Sequence, residues 1–308
     1  MFTPEMVHID QALSNLSVQF KNNALIAEQV LPVLPVAKES DKYFVYGKEA
    51  FKLVETRRKD GAEANEASLS LTTASYAAAE HALRDIVTDR ARANADAPIS
   101  PDADTTEFLT DLILLRLEKE VADLITTTGN YTNSNTATLS GTSQWNDYAN
   151  STPLTNFKTA KATVRKLIGK EANSLVLAGD VAETLSLHPD IKDLRKYTDS
   201  SLLTDAGLPP KVLGLKIIEG KATENVAYEG LTASMSYLWG KNAAILYIAE
   251  RPGIKTLSFG YTLRVKGFRK VKKWRVEERD GDMVQVADMF VAKEVADECG
   301  YLLANAIA

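Results

Sequence analysis

Cysteine is almost missing. Cys299 is the only one in 308 residues, which excludes a disulfide within the chain. Histidine is scarce too: His8, His81 and His188 each stand apart from other histidines, from Cys299 and from carboxylates at metal-ligand spacing. No metal and no cofactor is therefore expected. No apolar run approaches the roughly 18 residues of a membrane helix. The first ten residues lack the basic region and apolar core of a signal peptide, so the chain is expected to be made and kept in a cytosol. Phosphate loops are absent, because neither Gly169-Lys170 nor Gly240-Lys241 is followed by Ser or Thr or preceded by a glycine at the required distance. The nucleophile-elbow and dinucleotide fingerprints are absent as well. Positive charge is in deficit, with a net charge of −5. That argues against a protein whose main task is gripping nucleic acid.

What is present is an ordinary folded composition, 45% hydrophobic and 25% charged. The chain is organised around Asp104 to Thr127, which reads as one long helix of roughly 36 Å. Asp104 and Glu107 have the spacing of a capping box. Ile113, Leu114, Leu117, Val121, Leu124 and Ile125 share one face, and Phe108, Leu112 and Leu115 a second. Arg116, Lys119, Glu120 and Asp123 fill the sector between. A helix apolar on two sides needs a partner on each. The neighbouring pair Asp102 and Asp104 is read as helix-start charge rather than a metal site.

Before this helix, residues 1–37 hold scattered apolar residues and the extended piece Leu31 to Val36, a strand on the core or an arm over a neighbour. Lys42 to Glu55 reads as a strand, a charged stretch follows, and a second strand starts near Ser68. Arms of about 12 to 15 residues would reach roughly 40 to 50 Å. A lone ribbon of that kind is marginal in water, so something must cover it. Tyr76 to Asn94 is helical in period, and Asp96 to Pro101 is a linker.

After the helix, Asn130 to Thr142 reads as an exposed loop. From Trp145 an α/β unit follows: helices at Thr155 to Ile168 and Asp180 to Leu187, the latter capped by Asp180, a break and cap at His188-Pro189-Asp190, and strands at Ser174 to Ala178, Lys216 to Glu219 and Ala243 to Ala249. Ser200 to Leu213 reads as a loop. Thr256 to Trp274 alternates clearly enough to be one strand, Asp280-Gly281 turns, and Met283 to Val291 returns. Arg264, Lys266, Arg269, Lys270, Lys272, Lys273 and Arg275 crowd one segment, interleaved with Phe268, Val271 and Trp274. They form either a solvated strand face or a weak, sequence-blind phosphate contact through Arg269, Lys270, Lys272 and Lys273.

This order of elements resembles the major capsid proteins of tailed bacteriophages, the Hong Kong 97-like shell fold, an α+β architecture. The resemblance extends to Ser40-Asp41-Lys42-Tyr43-Phe44-Val45-Tyr46, Ala82-Leu83-Arg84-Asp85-Ile86-Val87 and Trp239-Gly240-Lys241-Asn242-Ala243. It implies an N-terminal arm at 1–37, an extended hairpin at 38–76 and a peripheral domain at 77–144 with the spine helix at 104–127. An axial α/β domain at 145–252 and return strands of the peripheral domain at 253–308 complete it. It further implies a non-enzymatic, self-assembling shell of hexamers and pentamers around double-stranded DNA, in a virion made in a bacterial cytoplasm. Portal and scaffolding proteins, a decoration protein and weakly held DNA are the implied partners, with no membrane. The hairpin would lie on a neighbouring copy through Phe44, Tyr46, Phe51, Arg57, Arg58, Lys59, Glu63 and Glu66. Some family members join this hairpin to a neighbour by a Lys–Asn bond. Lys42, Lys48, Lys52 and Lys59 lie in the right region, but no acceptor is identified and no bond is expected. Three other readings compete: an encapsulin-type compartment on the same fold, a hydrolase with a dispersed site, and a nucleic-acid-binding module centred on Arg264 to Arg275.

Overall fold

A computed structural model describes residues 25–46, 51–61, 63–68, 71–95, 100–131, 133–196, 203–204, 206–228, 230–232, 234–253 and 256–308. Most of the N-terminal segment, residues 1–24, lies outside them. The described part of that segment is a short helix, α1 (Ala27–Val30), and a strand, β1 (Val33–Val36), laid on the chain's own core. Pro35 is tolerated in β1 because this strand is at the edge of its sheet, where a missing N–H costs no ladder bond.

The hairpin comprises β2 (Ser40–Tyr46) and β3 (Leu71–Ala77), antiparallel, with Ser40 opposite Ala77 and Tyr46 opposite Leu71. Its ladder is seven residues long, about 24 Å, shorter than the arms read from sequence. The described residues between 51 and 68 carry no strand. Their backbone is drawn together instead by Asn65, whose side-chain amide donates to the Glu55 carbonyl at 2.7 Å.

After Ala78 alone, β3 passes into β4 (Ala79–Thr88), which leads into α2 (Asp89–Ala93). Residues 76–94, expected to be helical throughout, are mostly strand, with helix only at Asp89–Ala93. Alanine, leucine and arginine favour helix only weakly, and a ten-residue antiparallel ladder to residues 281–290 outweighs that preference. Thr88 caps α2 by accepting from the Ala91 N–H at 3.2 Å.

The long helix, α3 (Pro101–Thr126), has 26 residues, about 39 Å. It starts earlier than the capping-box reading placed it. Pro101 occupies the first helical turn, where its missing N–H is harmless. The Asp104 N–H already donates to the Ser100 carbonyl, so Asp104 is inside the helix and not its cap.

Residues 130–142 are not the solvated loop expected. Asn135 is fully buried, and β5 (Thr136–Thr138) runs parallel to residues 302–304. α4 (Pro153–Ile168) ends at Gly169, whose φ of 68° is a left-handed C-cap. β6 (Ser174–Ala178) leads into α5 (Gly179–Leu187) and α6 (Pro189–Arg195). Asp180 falls inside the first turn of α5 rather than at its cap, while His188 does cap α6. Short strands follow: β7 (Lys211–Val212), β8 (Leu215–Gly220), β9 (Thr223–Asn225), β10 (Met235–Tyr237) and β11 (Ala243–Leu246). The chain closes with β12 (Gly260–Val265), β13 (Lys270–Val276), β14 (Gly281–Glu294) and β15 (Gly300–Ala304).

These strands form two main sheets. One has the order β1-β12-β14-β13, with β4 on the other side of β14; the second has the order β5-β15-β11-β6-β8-β7. The single strand expected at 256–274 is therefore two, both pairing with β14. Arg264 faces Phe290 and Lys270 faces Ala287, so the β12–β13 side carries three extra residues, turned at Gly267 with φ 72°. The last strand, β15, does not return with β12 to β14. It enters the six-stranded sheet beside β11. α3 packs on β14 and β4 of the first sheet and reaches β11 and β15 of the second. The core is continuous across both, with Trp145, Trp239, Phe157, Phe259 and Phe290 fully buried.

Candidate functional site

The hairpin is fastened at its base and uncovered at its end. The Tyr43 hydroxyl donates to the Glu294 carbonyl at 3.3 Å, and Tyr76 donates to the Lys38 carbonyl at 3.2 Å. Burial, followed by the charge of Asp297, pushes the Glu294 carboxyl up to about 7. Farther out, Leu53 is 99% exposed and Phe51 65% exposed, although one edge of the Phe51 ring lies against Gly169 at the end of α4. Arg57, Arg58, Lys59, Glu63 and Glu66 are all exposed. Phe44 and Tyr46 sit in β2 opposite Thr73 and Leu71, and their side chains lie outside the described residues.

The spine helix has one covered face. Ile113, Leu117, Val121 and Ile125 are buried as expected. The second face is only partly covered, since Leu115 packs on the core while Phe108 is 57% exposed and Leu112 also reaches solvent. Two anchors fix the helix on its sheet. At one end Arg92 of α2 makes two bonds to Asp102, at 2.9 and 2.8 Å, and Arg92 and Lys273 both reach Asp282 of β14. At the other, His81 stacks on Phe290 and places Nε2 3.6 Å from Glu120. Exposed Leu83 shares the face of β4 that carries His81, between those anchors.

Glu118 is the residue that apolar periodicity missed. It is fully buried on α3. One carboxylate oxygen accepts from the backbone N–H groups of Ile26, at 2.9 Å, and Ala27, at 2.7 Å. The other accepts from Trp239 Nε1 at 2.7 Å. Burial raises its pKa and the three donors pull it partly back. One side chain thus joins the root of the N-terminal segment, the spine and the second sheet's domain. The available signal was its register: Glu118 stands four and seven residues before buried Ala122 and Ile125.

Much of the basic segment is committed within the chain. Arg264 pairs with Glu28 at 3.0 Å and Asp288 at 3.2 Å. Lys273 reaches Asp102 at 3.4 Å and Asp282 at 3.6 Å, and Arg275 pairs with Asp89 at 2.7 Å. Burial lowers the Arg269 pKa. Lys270 lies over the Phe268 ring, 4.8 Å from its centre, and Lys272 is half-buried. A second exposed apolar group, also missed from sequence, sits around β9 and β10: Val226, Leu231, Met235 and Tyr228, the last 85% exposed.

The arrangement nearest to a hydrolytic centre is Ser151 Oγ, 3.1 Å from His188 Nε2. Its polarity is wrong for catalysis. Nδ1 accepts from the Asp190 N–H, so the network assigns the ring proton to Nε2, which donates to Ser151. The serine hydroxyl in turn donates to the Asp147 carbonyl at 2.6 Å. A base that already donates to its nucleophile cannot take its proton. Among the described residues no three His, Cys, Asp or Glu side chains group to hold a metal, and no helix is long and apolar enough to cross a membrane.

No family model matches the chain. It is 29% identical over 303 residues to the major capsid protein of Burkholderia phage BcepMu, covering 96% of each chain. A crystal structure of a phage-related protein from Bordetella bronchiseptica matches with a TM-score of 0.77 at 26% identity, over 97% of this chain and 98% of that one. The mature capsid of bacteriophage PhiM1 (TM-score 0.61, 8% identity, 99% and 90% covered) shares the fold. So does an encapsulin from Synechococcus elongatus (TM-score 0.57, 12% identity, 97% and 96% covered). The major capsid protein of Pseudomonas phage JBD67 is 30% identical over 314 residues, 97% of each chain, and this chain therefore belongs to the phage major capsid proteins.

Proposed function

We propose that copies of this capsid protein assemble into hexamers and pentamers of an icosahedral shell enclosing double-stranded DNA, and that the protein catalyses no reaction. One observation carries the reading: apolar side chains stand uncovered on separate elements, at Phe51 and Leu53, at Phe108 and Leu112, and around Tyr228. A ring of identical subunits joins two different patches at each contact, and several patches of this kind suit a subunit with several neighbours. The hairpin of one copy lies across the next, with Arg57, Arg58, Lys59, Glu63 and Glu66 at the contact. Portal, scaffolding and decoration proteins are the further partners, and synthesis is in the host cytoplasm.

The encapsulin reading has the shared fold in its favour, at 12% identity. The full-length relation to capsid proteins of phages favours a genome container over an enzyme container. Electron microscopy of the purified chain tests the proposal. Closed particles of uniform diameter are expected, and a monomer at all concentrations overturns it.

A further inference from the structure

The basic strand holds much of its charge against carboxylates of its own chain. Lys273, Arg275 and Arg264 are neutralised inside the chain. On α4, by contrast, Lys158, Lys161, Arg165 and Lys166 share one stripe of about 140° of the helix surface. Lys158, Arg165 and Lys166 are exposed, and among the described residues no carboxylate pairs with Lys158 or Lys166. Lys158, Lys161 and Arg165 line a groove of about 300 Å³ with Ala162, Glu171 and Leu213.

The groove already grips an oxyanion. Lys161 lies 3.1 Å from one oxygen of Glu171 and Arg165 lies 3.0 Å from the other. Lys161 is itself held in place by donating to the Leu213 carbonyl at 2.7 Å. Glu171 thus occupies the position that an incoming anion would share; Lys158 lines the same groove and Lys166 lies beside it on α4, neither paired with a carboxylate among the described residues. From Lys158 to Arg165 is about 10 Å, enough to span about two neighbouring phosphates of one strand.

We infer that this stripe of α4 is a phosphodiester-binding surface, the sequence-blind contact of the shell subunit with packaged nucleic acid. It rests on the shell reading for its partner. The alternative occupant is an acidic segment of another copy, and the test separates the two.

The experiment measures binding of a random-sequence duplex of about 30 base pairs by the full chain before assembly, from about 50 to about 200 mM salt. Particle formation is scored separately by microscopy, so a failure of the shell reading is visible independently. The double variant Lys158→Gln, Lys166→Gln is expected to bind at least about tenfold more weakly at low salt, with a salt slope shallower by about two. Glu171→Gln is expected to bind more tightly, and Lys270→Gln with Lys272→Gln to bind as the unaltered chain does. The inference is overturned if the unaltered chain does not bind the duplex, or if the α4 double variant binds as well as it does. A loss confined to the Lys270 and Lys272 variant overturns it too. Should the α4 variant keep duplex binding but lose particles, the stripe meets another copy instead.

Discussion

Glu118 shows how much one residue can be asked to hold. Three buried donors converge on its carboxylate, and a buried donor left unpaired costs about 1–3 kcal/mol. Glu118→Ala should therefore lower unfolding stability by at least about 3 kcal/mol. Glu118→Gln should cost less, because one acceptor oxygen remains; urea denaturation of both variants measures this. Glu294 gives a pH signature. Its carboxyl sits at about 7 in the folded chain, above its value of 4.5 when unperturbed. A raised folded value means that its contribution is fully present below about 4.5 and is lost as the pH climbs through 7. Unfolding midpoints should fall across that window in the unaltered chain, and the fall should be smaller in Glu294→Gln. An equal fall in both would mean that other groups govern it.

Among the elements, what sequence revealed depended on whether a local pattern or a distant partner decided the outcome. α3, α4, β6 and the turn at Asp280 were legible, because period and glycine placement act within a few positions, although the capping-box spacing misplaced the start of α3. β4 was not, since its strand state comes from β14, about 200 positions away. β5 was hidden for the same reason: a Thr- and Asn-rich stretch looks solvated until β15 supplies its ladder. The hairpin was legible as a pairing but not in its length. At the candidate surfaces, charged and aromatic residues of the hairpin could be named, while Glu118 and the group around Tyr228 could not. Exposure is not written in composition. Leu53 tests the hairpin as an element. Leu53→Asp should leave the unfolding free energy of the subunit within about 0.5 kcal/mol, because among the described residues nothing covers Leu53. The same change should reduce the yield of particles in electron micrographs. Unchanged yield would remove this side chain from the contact.

For the whole molecule, association is a sum of moderate contacts, with a standard protein interface burying on the order of 1,600 Å². A subunit that meets several neighbours gains more from the last to join than from the first, so particles should appear over a narrow range of protein concentration. Replacing Arg57 and Arg58 by Glu should lower particle yield, most strongly at low ionic strength, where exposed charges act over about 10 Å or more. Light scattering against salt concentration reads this out, and identical curves for variant and unaltered chain would exclude the hairpin charges from assembly. One further consequence comes from the junction at Ala78. β3 and β4 are one run of backbone with a single residue between them, and Ala78 N–H still donates to the Glu39 carbonyl. A neighbour that tugs on the ribbon therefore loads β14 directly, and through it the spine helix. The paired strands and the stiff body are a lever and its mount, and a load on β3 is delivered through Ala78 to the middle of the subunit.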